Sequence, residues 1–410
     1  MTSDKPAAQA PLVRGPFSTV GSLVPFGALS FAYHASIGLF NPYAPLWFQA
    51  LGFSTLAIGT IASLQSWTRV VAPYAWSWLG DHWQRGTQRV ELLRIATVLI
   101  VLASLGLLWL RDFTAVALVV FLIYLANGAV MPLSEATVTQ RLTSEKGLDV
   151  GRYGRVRVWG SLGFIVAVSL FGALLQTTGI AAFPAFLTGL VALLALAAWR
   201  LPRHGTDSPG PQGHSGAGVW QALRQPVVAW FFAGVFFTVL AHTSLYVFLS
   251  LYLDAQGYSK SAVGAMWAVS VAVEIAFFWT QGHWFARWSA HTWLLAAAVV
   301  SVLRFGAMAT LGSSVVLLVV TQSLHAVTFA AHHAACTSLV DRHFASRLRG
   351  RGQALYSMLG YGLSGVIGGV GGGAISQRWG FEAVFAAAAL VALAAVLCCW
   401  RCRSLALRQT

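Results

Sequence analysis

Twelve apolar runs, each long enough to cross a bilayer, divide this 410-residue chain. A crossing α-helix needs about 20 predominantly apolar residues. Such runs fall at about 20–48, 54–79, 91–110, 113–138, 155–177 and 180–199, and resume at about 226–252, 260–283, 292–311, 314–338, 352–376 and 381–400. Lipid offers the backbone no hydrogen-bonding partner, so a run of this kind must be helical. Only 9% of residues are charged, against roughly 25% in soluble domains, which leaves little for a water-facing surface. The expected fold class is an all-α membrane protein with twelve transmembrane helices.

The formal charge of +14 admits a second reading, a basic surface for nucleic acid, and the placement of the charge decides between them. With the N-terminus inside, 21 of the 26 Lys and Arg residues fall on the N-terminal side of the membrane, in the tails, the even-numbered loops and the central linker. The opposite face holds Arg111, Lys260 and Arg378, and Arg69 and Arg304 lie within spans. This is a positive-inside distribution. It accounts for the net charge without nucleic acid and predicts a bacterial-type inner-membrane protein with both termini cytoplasmic. Residues 1–19 read as a cytoplasmic tail and 401–410 as a second, with no cleavable signal.

The segment RLPRHGTDSPGPQGHSGAGVWQALRQ, residues 200–225, is rich in Gly, Pro and Ser and reads as a flexible linker. It separates two six-helix bundles, 20–199 and 226–400. The halves resemble each other: GFSTLAIG at 52–59 recurs as GYSKSAVG at 257–264, an offset of 205, half the chain. Pseudo-symmetric halves put a solute site between them near the midplane. The same offset maps Arg69 onto Glu274. The glycine run GYGLSGVIGGVGGG at 360–373 reads as a close-packing helix face, with small-residue steps such as Gly365/Gly369 and Gly368/Gly372.

Ionisable groups inside spans are costly and usually functional. Glu274, Arg304 and His325 lie near the middle of the eighth, ninth and tenth runs, an acid, a base and a titratable ring at one depth. Burial disfavours a carboxylate's charged form while a neighbouring Arg favours it. An acid that exchanges an Arg partner for a proton is therefore a physical basis for proton coupling; a structural ion pair is the plainer alternative. His332 follows His325 by seven residues and shares its face in an ideal α-helix, open between a solute ligand and packing, while His333 is rotated away towards packing. A zinc site needs three or four clustered ligands. The chain has neither a Cys-x-x-Cys nor a His-Glu-x-x-His pattern, so no metal and no cofactor are expected. In the first half the candidates are Arg69, Glu135 and Arg157, with Asn127 and Gln322 as uncharged hydrogen-bonding groups and Tyr33, Trp67 and Phe164 as cavity aromatics.

With twelve spans, a half-length repeat and these charges, the chain resembles a major facilitator superfamily transporter along nearly its whole length. VEIAFF, VVSVLRFGAM, QSLHAVTFAAHHAA and GQALYS resemble the phenylpropionic acid permease group, and the same region resembles the oligosaccharide/proton symporters of the lactose permease type. The resemblance implies proton-coupling and substrate roles for Glu274, Arg304 and His325. PLSEA followed by YGRVRVWGSLGF resembles the symporters' substrate-binding acid and base, implying those roles for Glu135 and Arg157, and a sugar-stacking role for Phe164. The chain departs from the symporters at Thr328, where they carry a second acid, at Gln322, where they carry Lys, and at Ser77 in the cytoplasmic loop motif, where Gly is usual.

The expected activity is secondary active transport by alternating access, as a monomer, of a small organic solute with protons. Arg69, Arg157 and Arg304 favour an aromatic or organic acid; a sugar or nucleoside is the runner-up. A multidrug exporter and a membrane-embedded metal-dependent enzyme are the alternatives of other kinds.

Overall fold

A computed structural model describes residues 23–82, 88–144, 147–202, 221–344 and 348–408. The expected N-terminal tail, most of the linker and Arg85 of the loop motif lie outside the described residues. The first half comprises α1 (Val24–Ala50), α2 (Thr55–His82), α3 (Gln88–Gly106), α4 (Phe113–Leu142), α5 (Val150–Thr178) and α6 (Phe183–Trp199). The second comprises α7 (Pro226–Ala255), α8 (Lys260–Thr280), α9 (Ala290–Leu311), α10 (Val315–His343) and α11 (Gly350–Ala406). Eight helical runs among the described residues are long and apolar enough to cross a membrane. Ser259, Ser289 and Ser314 cap α8, α9 and α10 by accepting from the backbone N–H three residues on.

Helices α2, α4, α5 and α10 outrun their apolar stretches at one end, α5 by beginning at Val150 and α10 by ending at His343. These extensions lie on the Arg-rich face. An α-helix need not stop where hydrocarbon does, and its Arg side chains reach water from the extra turns. Four glycines have positive φ: Gly52, Gly179, Gly257 and Gly380, at 83° or 84°. Each turns the chain on the Arg-poor face, and Gly380 breaks α11 into a first and a second arm. Gly52 and Gly257 open the two copies of the repeat, so the copies share backbone geometry as well as sequence.

The last glycines of the copies, Gly59 and Gly264, also match. α2 crosses the first arm of α11, and α5 crosses α8. A Cβ at Gly59 would overlap the Gly369 carbonyl, and one at Gly264 would come within 2.5 Å of the Val168 carbonyl oxygen. Backbones touch at both crossings because the glycine on one side carries no side chain there. Hydrogen bonds reinforce them: Thr55 Oγ1 donates to Gly373 O at 3.2 Å, Lys260 N–H to Gln176 Oε1 at 2.8 Å, and Tyr43 Oη to Val168 O at 2.8 Å, with Lys260 O 3.2 Å away. All lie towards the Arg-poor face, where the halves are zipped. α7 sits at the centre, with 72% of its most apolar window buried, against 33–44% for the other spans.

Crowding a backbone contact typically costs about 1–3 kcal/mol. Gly59→Ala and Gly264→Ala should each lower the melting temperature of the purified protein. Gly306→Ala, whose added Cβ meets nothing within 4 Å, should leave it unchanged or raise it, and thermal unfolding in one detergent compares the three.

Candidate functional site

Helices α8, α9 and α10 meet around Arg304, which is 0% exposed. Its Nη1 donates to Thr328 Oγ1 at 2.9 Å and lies 3.1 Å from His325 Nδ1; its Nη2 donates to Gln322 Oε1 at 3.0 Å. Ser270 Oγ on α8 donates to the same Gln322 oxygen at 2.9 Å. Guanidinium can only donate, so His325 Nδ1 must accept, which places the ring's proton on Nε2. That N–H lies 3.9 Å from Glu274 Oε2. Arg304 thus holds His325 neutral and turns its one N–H towards Glu274. The Glu274 side chain is 25% exposed, and Arg157 of the first half interacts with it electrostatically. Arg304 Nε and Gln322 Nε2 are buried without a hydrogen-bond partner.

Residues Ala326–Ala331 of α10 form a π-helical turn. A π turn takes one residue more than an α turn and is often found at functional sites. The extra residue shifts the register, so the residue above His325 is His333, eight positions on, rather than His332, seven on. His325, Phe329 and His333 stack as a column, with centroids 4.9 and 6.1 Å apart and planes within 3° and 12° of parallel. His332 is buried instead, its Nε2 3.5 Å from Cys336 Sγ. Among the described residues no three His, Cys, Asp or Glu side chains cluster to hold a metal.

His333 faces a cavity of about 600 Å³ between α1, α2 and α4 on one side and α7, α10 and α11 on the other. Arg69 reaches it from α2, its Cζ 5.9 Å from the Tyr361 ring centroid. His333 Nδ1 lies 3.1 Å from Tyr356 Oη, which is 3.3 Å from Tyr361 Oη. Tyr246 and Tyr361 line the cavity, and Tyr246 also packs towards His325, with ring centroids 6.5 Å apart.

The first-half candidates form a separate group. Arg157 Nη1 donates to Glu135 Oε1 at 3.0 Å, with side-chain exposures of 58% and 29%, and Tyr153 Oη donates to Glu135 Oε2. Tyr33 lines a small pocket with Glu135 and Arg157 and lies within hydrogen-bonding reach of Asn127. Phe164 packs across the α5–α8 crossing, 6.4 Å from Trp267. Trp67 is 58% exposed and is not among the cavity-lining residues. Sequence reasoning read His333 as packing and did not single out Tyr356 or Tyr361; the π turn that aims His333 has no local composition signal.

A model of the MFS_1 like family matches residues 23–387. The chain is 33% identical over 377 residues to the probable 3-phenylpropionic acid transporter of Escherichia coli (strain K12), covering 89% of this chain and 94% of that protein. It is 27% identical over 359 residues to the maltose permease of Geobacillus stearothermophilus, covering 87% of each. The crystal structure of the nucleoside transporter NupG superposes with a TM-score of 0.79 at 18% identity, over 93% of this chain and 98% of that one, a likeness of fold.

The two charged groups should respond differently to mutation. Arg304→Ala removes a buried side chain and its donors, at a cost on the order of 3 kcal/mol. Glu135→Gln disturbs a largely solvated pair, at a cost below about 1 kcal/mol. Thermal unfolding of both variants should show the larger loss for Arg304→Ala; the reverse order would contradict this assignment.

Proposed function

We propose, from the premise that this chain belongs to the MFS_1 like family of membrane transporters, that it carries a small organic acid across the membrane together with protons. Its family and relatives are transporters, and it is a transporter rather than an enzyme. In this reading twelve helices, with α11 counted as two at Gly380, form two pseudo-symmetric six-helix bundles related by the 205-residue offset. The protein works as a monomer in a bacterial inner membrane, with both termini in the cytoplasm. The zipped Arg-poor face is then the outer face, and the conformation is open to the cytoplasm, which the exposure of Glu135 and Arg157 supports.

One observation carries the coupling: Glu274 is a membrane-level carboxylate whose near neighbour, His325, is held neutral by Arg304. Such a carboxylate can gain and lose a proton without breaking a tight ion pair. Arg304 sets the field, His325 presents an N–H to Glu274, and Glu274 carries the proton. Thr328 stands where the related symporters have an acid, so proton movement centres on Glu274. Arg69 meets the solute's carboxylate. Glu135 and Arg157, with Tyr33 and Asn127 beside them, govern access from the cytoplasmic side, while Phe164, Gln322 and His332 shape the surrounding packing. An aromatic acid fits the relative whose name specifies 3-phenylpropionic acid. A sugar or nucleoside is the second reading, favoured by the Glu135–Arg157 pair.

Glu274→Gln should abolish proton-driven accumulation of the solute while sparing binding and exchange. Cells expressing this variant provide the test, and unchanged uphill uptake would remove Glu274 from the mechanism.

A further inference from the structure

Three arginines could meet a solute carboxylate, and two of them are already engaged. Arg304 is sealed from solvent and spends its Nη donors on Gln322, His325 and Thr328. Arg157 is tied to Glu135. Arg69 has no hydrogen bond and no ion pair among the described residues, and its guanidinium lies against the face of Tyr361. It projects into the 600 Å³ cavity as the one Arg or Lys among the lining residues, which include no Asp or Glu. A guanidinium at membrane depth with its donors unused is costly, and its planar fork matches a carboxylate.

The rest of the lining narrows the ligand. Phe40, Phe48, Tyr124, Tyr246 and Phe329 supply aromatic walls. Among the lining residues no carboxylate holds a sugar's hydroxyls, which would fall to the amides of Asn41 and Gln65, and no second cation is present for a dicarboxylate. From Tyr361 beside Arg69 a hydrogen-bonded chain runs through Tyr356 Oη to His333 Nδ1, with the second ring nitrogen of His333 unused. The parallel Phe329 ring, 6.1 Å away, holds His333 in place.

We propose that this cavity is the solute site, that Arg69 is its single anion anchor, and that it selects aromatic monocarboxylates, with His333 receiving a hydroxyl carried on the ring. The proposal rests on the organic-acid reading above and assigns that acid its anchor and its charge. It is independent of proton coupling, because it concerns binding alone.

The test is equilibrium binding to the purified full-length protein, by isothermal calorimetry, with four probes: 3-phenylpropionate, its 4-hydroxy derivative, 3-phenylpropionamide and maltose. The wild type should bind both acids, the hydroxylated one more tightly, and neither the amide nor maltose. Arg69→Gln should weaken acid binding about 10-fold or more, the effect of losing a charge-assisted hydrogen bond in an open cavity. Arg69→Lys should fall between, since it keeps charge but loses the fork. His333→Phe should erase the preference for the hydroxylated acid and leave the plain acid's affinity within about twofold. A melting curve on each variant identifies any that fail to fold, and the Lys variant keeps the comparison open if Gln does not fold. Acid binding that survives Arg69→Gln and is lost on Arg157→Gln would overturn this assignment while sparing the organic-acid reading. A wild type that binds maltose and neither acid would overturn both.

Discussion

A guanidinium with no water around it governs the second half of this transporter. Arg304 draws Gln322, Thr328 and His325 of α10 onto α9, and Ser270 of α8 joins through Gln322. No carboxylate oxygen lies within ion-pair distance of it among the described residues; neutral acceptors carry the load. Because a guanidinium has no lone pair to offer, the orientation of His325 follows, and with it the direction of the N–H that meets Glu274. Arg304, His325 and, 3.9 Å beyond the ring, Glu274 form one polar element joining α8, α9 and α10.

That element lies next to the space where the halves face each other. Arg69 and His333 both reach that space, with Tyr361 against the Arg69 guanidinium and linked through Tyr356 to His333. On one face the halves meet by backbone contact at Gly59 on Gly369 and Gly264 on Val168, held further by Thr55, Lys260 and Tyr43 hydrogen bonds and by Phe164 on Trp267.

The sequence marked the chain as a helical membrane protein because lipid imposes a length rule on apolar runs, and the glycines closing the repeat at 52–59 and 257–264 turn out to sit at matching crossings. Composition also singled out Arg304, Gln322 and His325, since a polar residue in a span has few places to go but inward. What escaped was register. A π turn of six residues, Ala326–Ala331, has no signature in the letters AVTFAA, yet it moves the exposed ring from His332 to His333. The outward turn of Trp67 was equally hidden, because an aromatic ring is at home against lipid or in a cavity and only packing decides. The grouping of Tyr356 and Tyr361 with Arg69 joins helices about 290 residues apart in sequence, beyond the reach of any local pattern.

Solute movement in this mechanism is driven by protons through Glu274. Purified protein reconstituted into liposomes, given 3-phenylpropionate outside and an imposed pH gradient with the interior alkaline, measures this directly. Because a weak acid also distributes passively with pH, protein-free liposomes under the same gradient set the baseline. The account predicts accumulation that overshoots this baseline and collapses on addition of a protonophore. Uptake that rises only to the baseline, at a rate indifferent to the gradient, would contradict it.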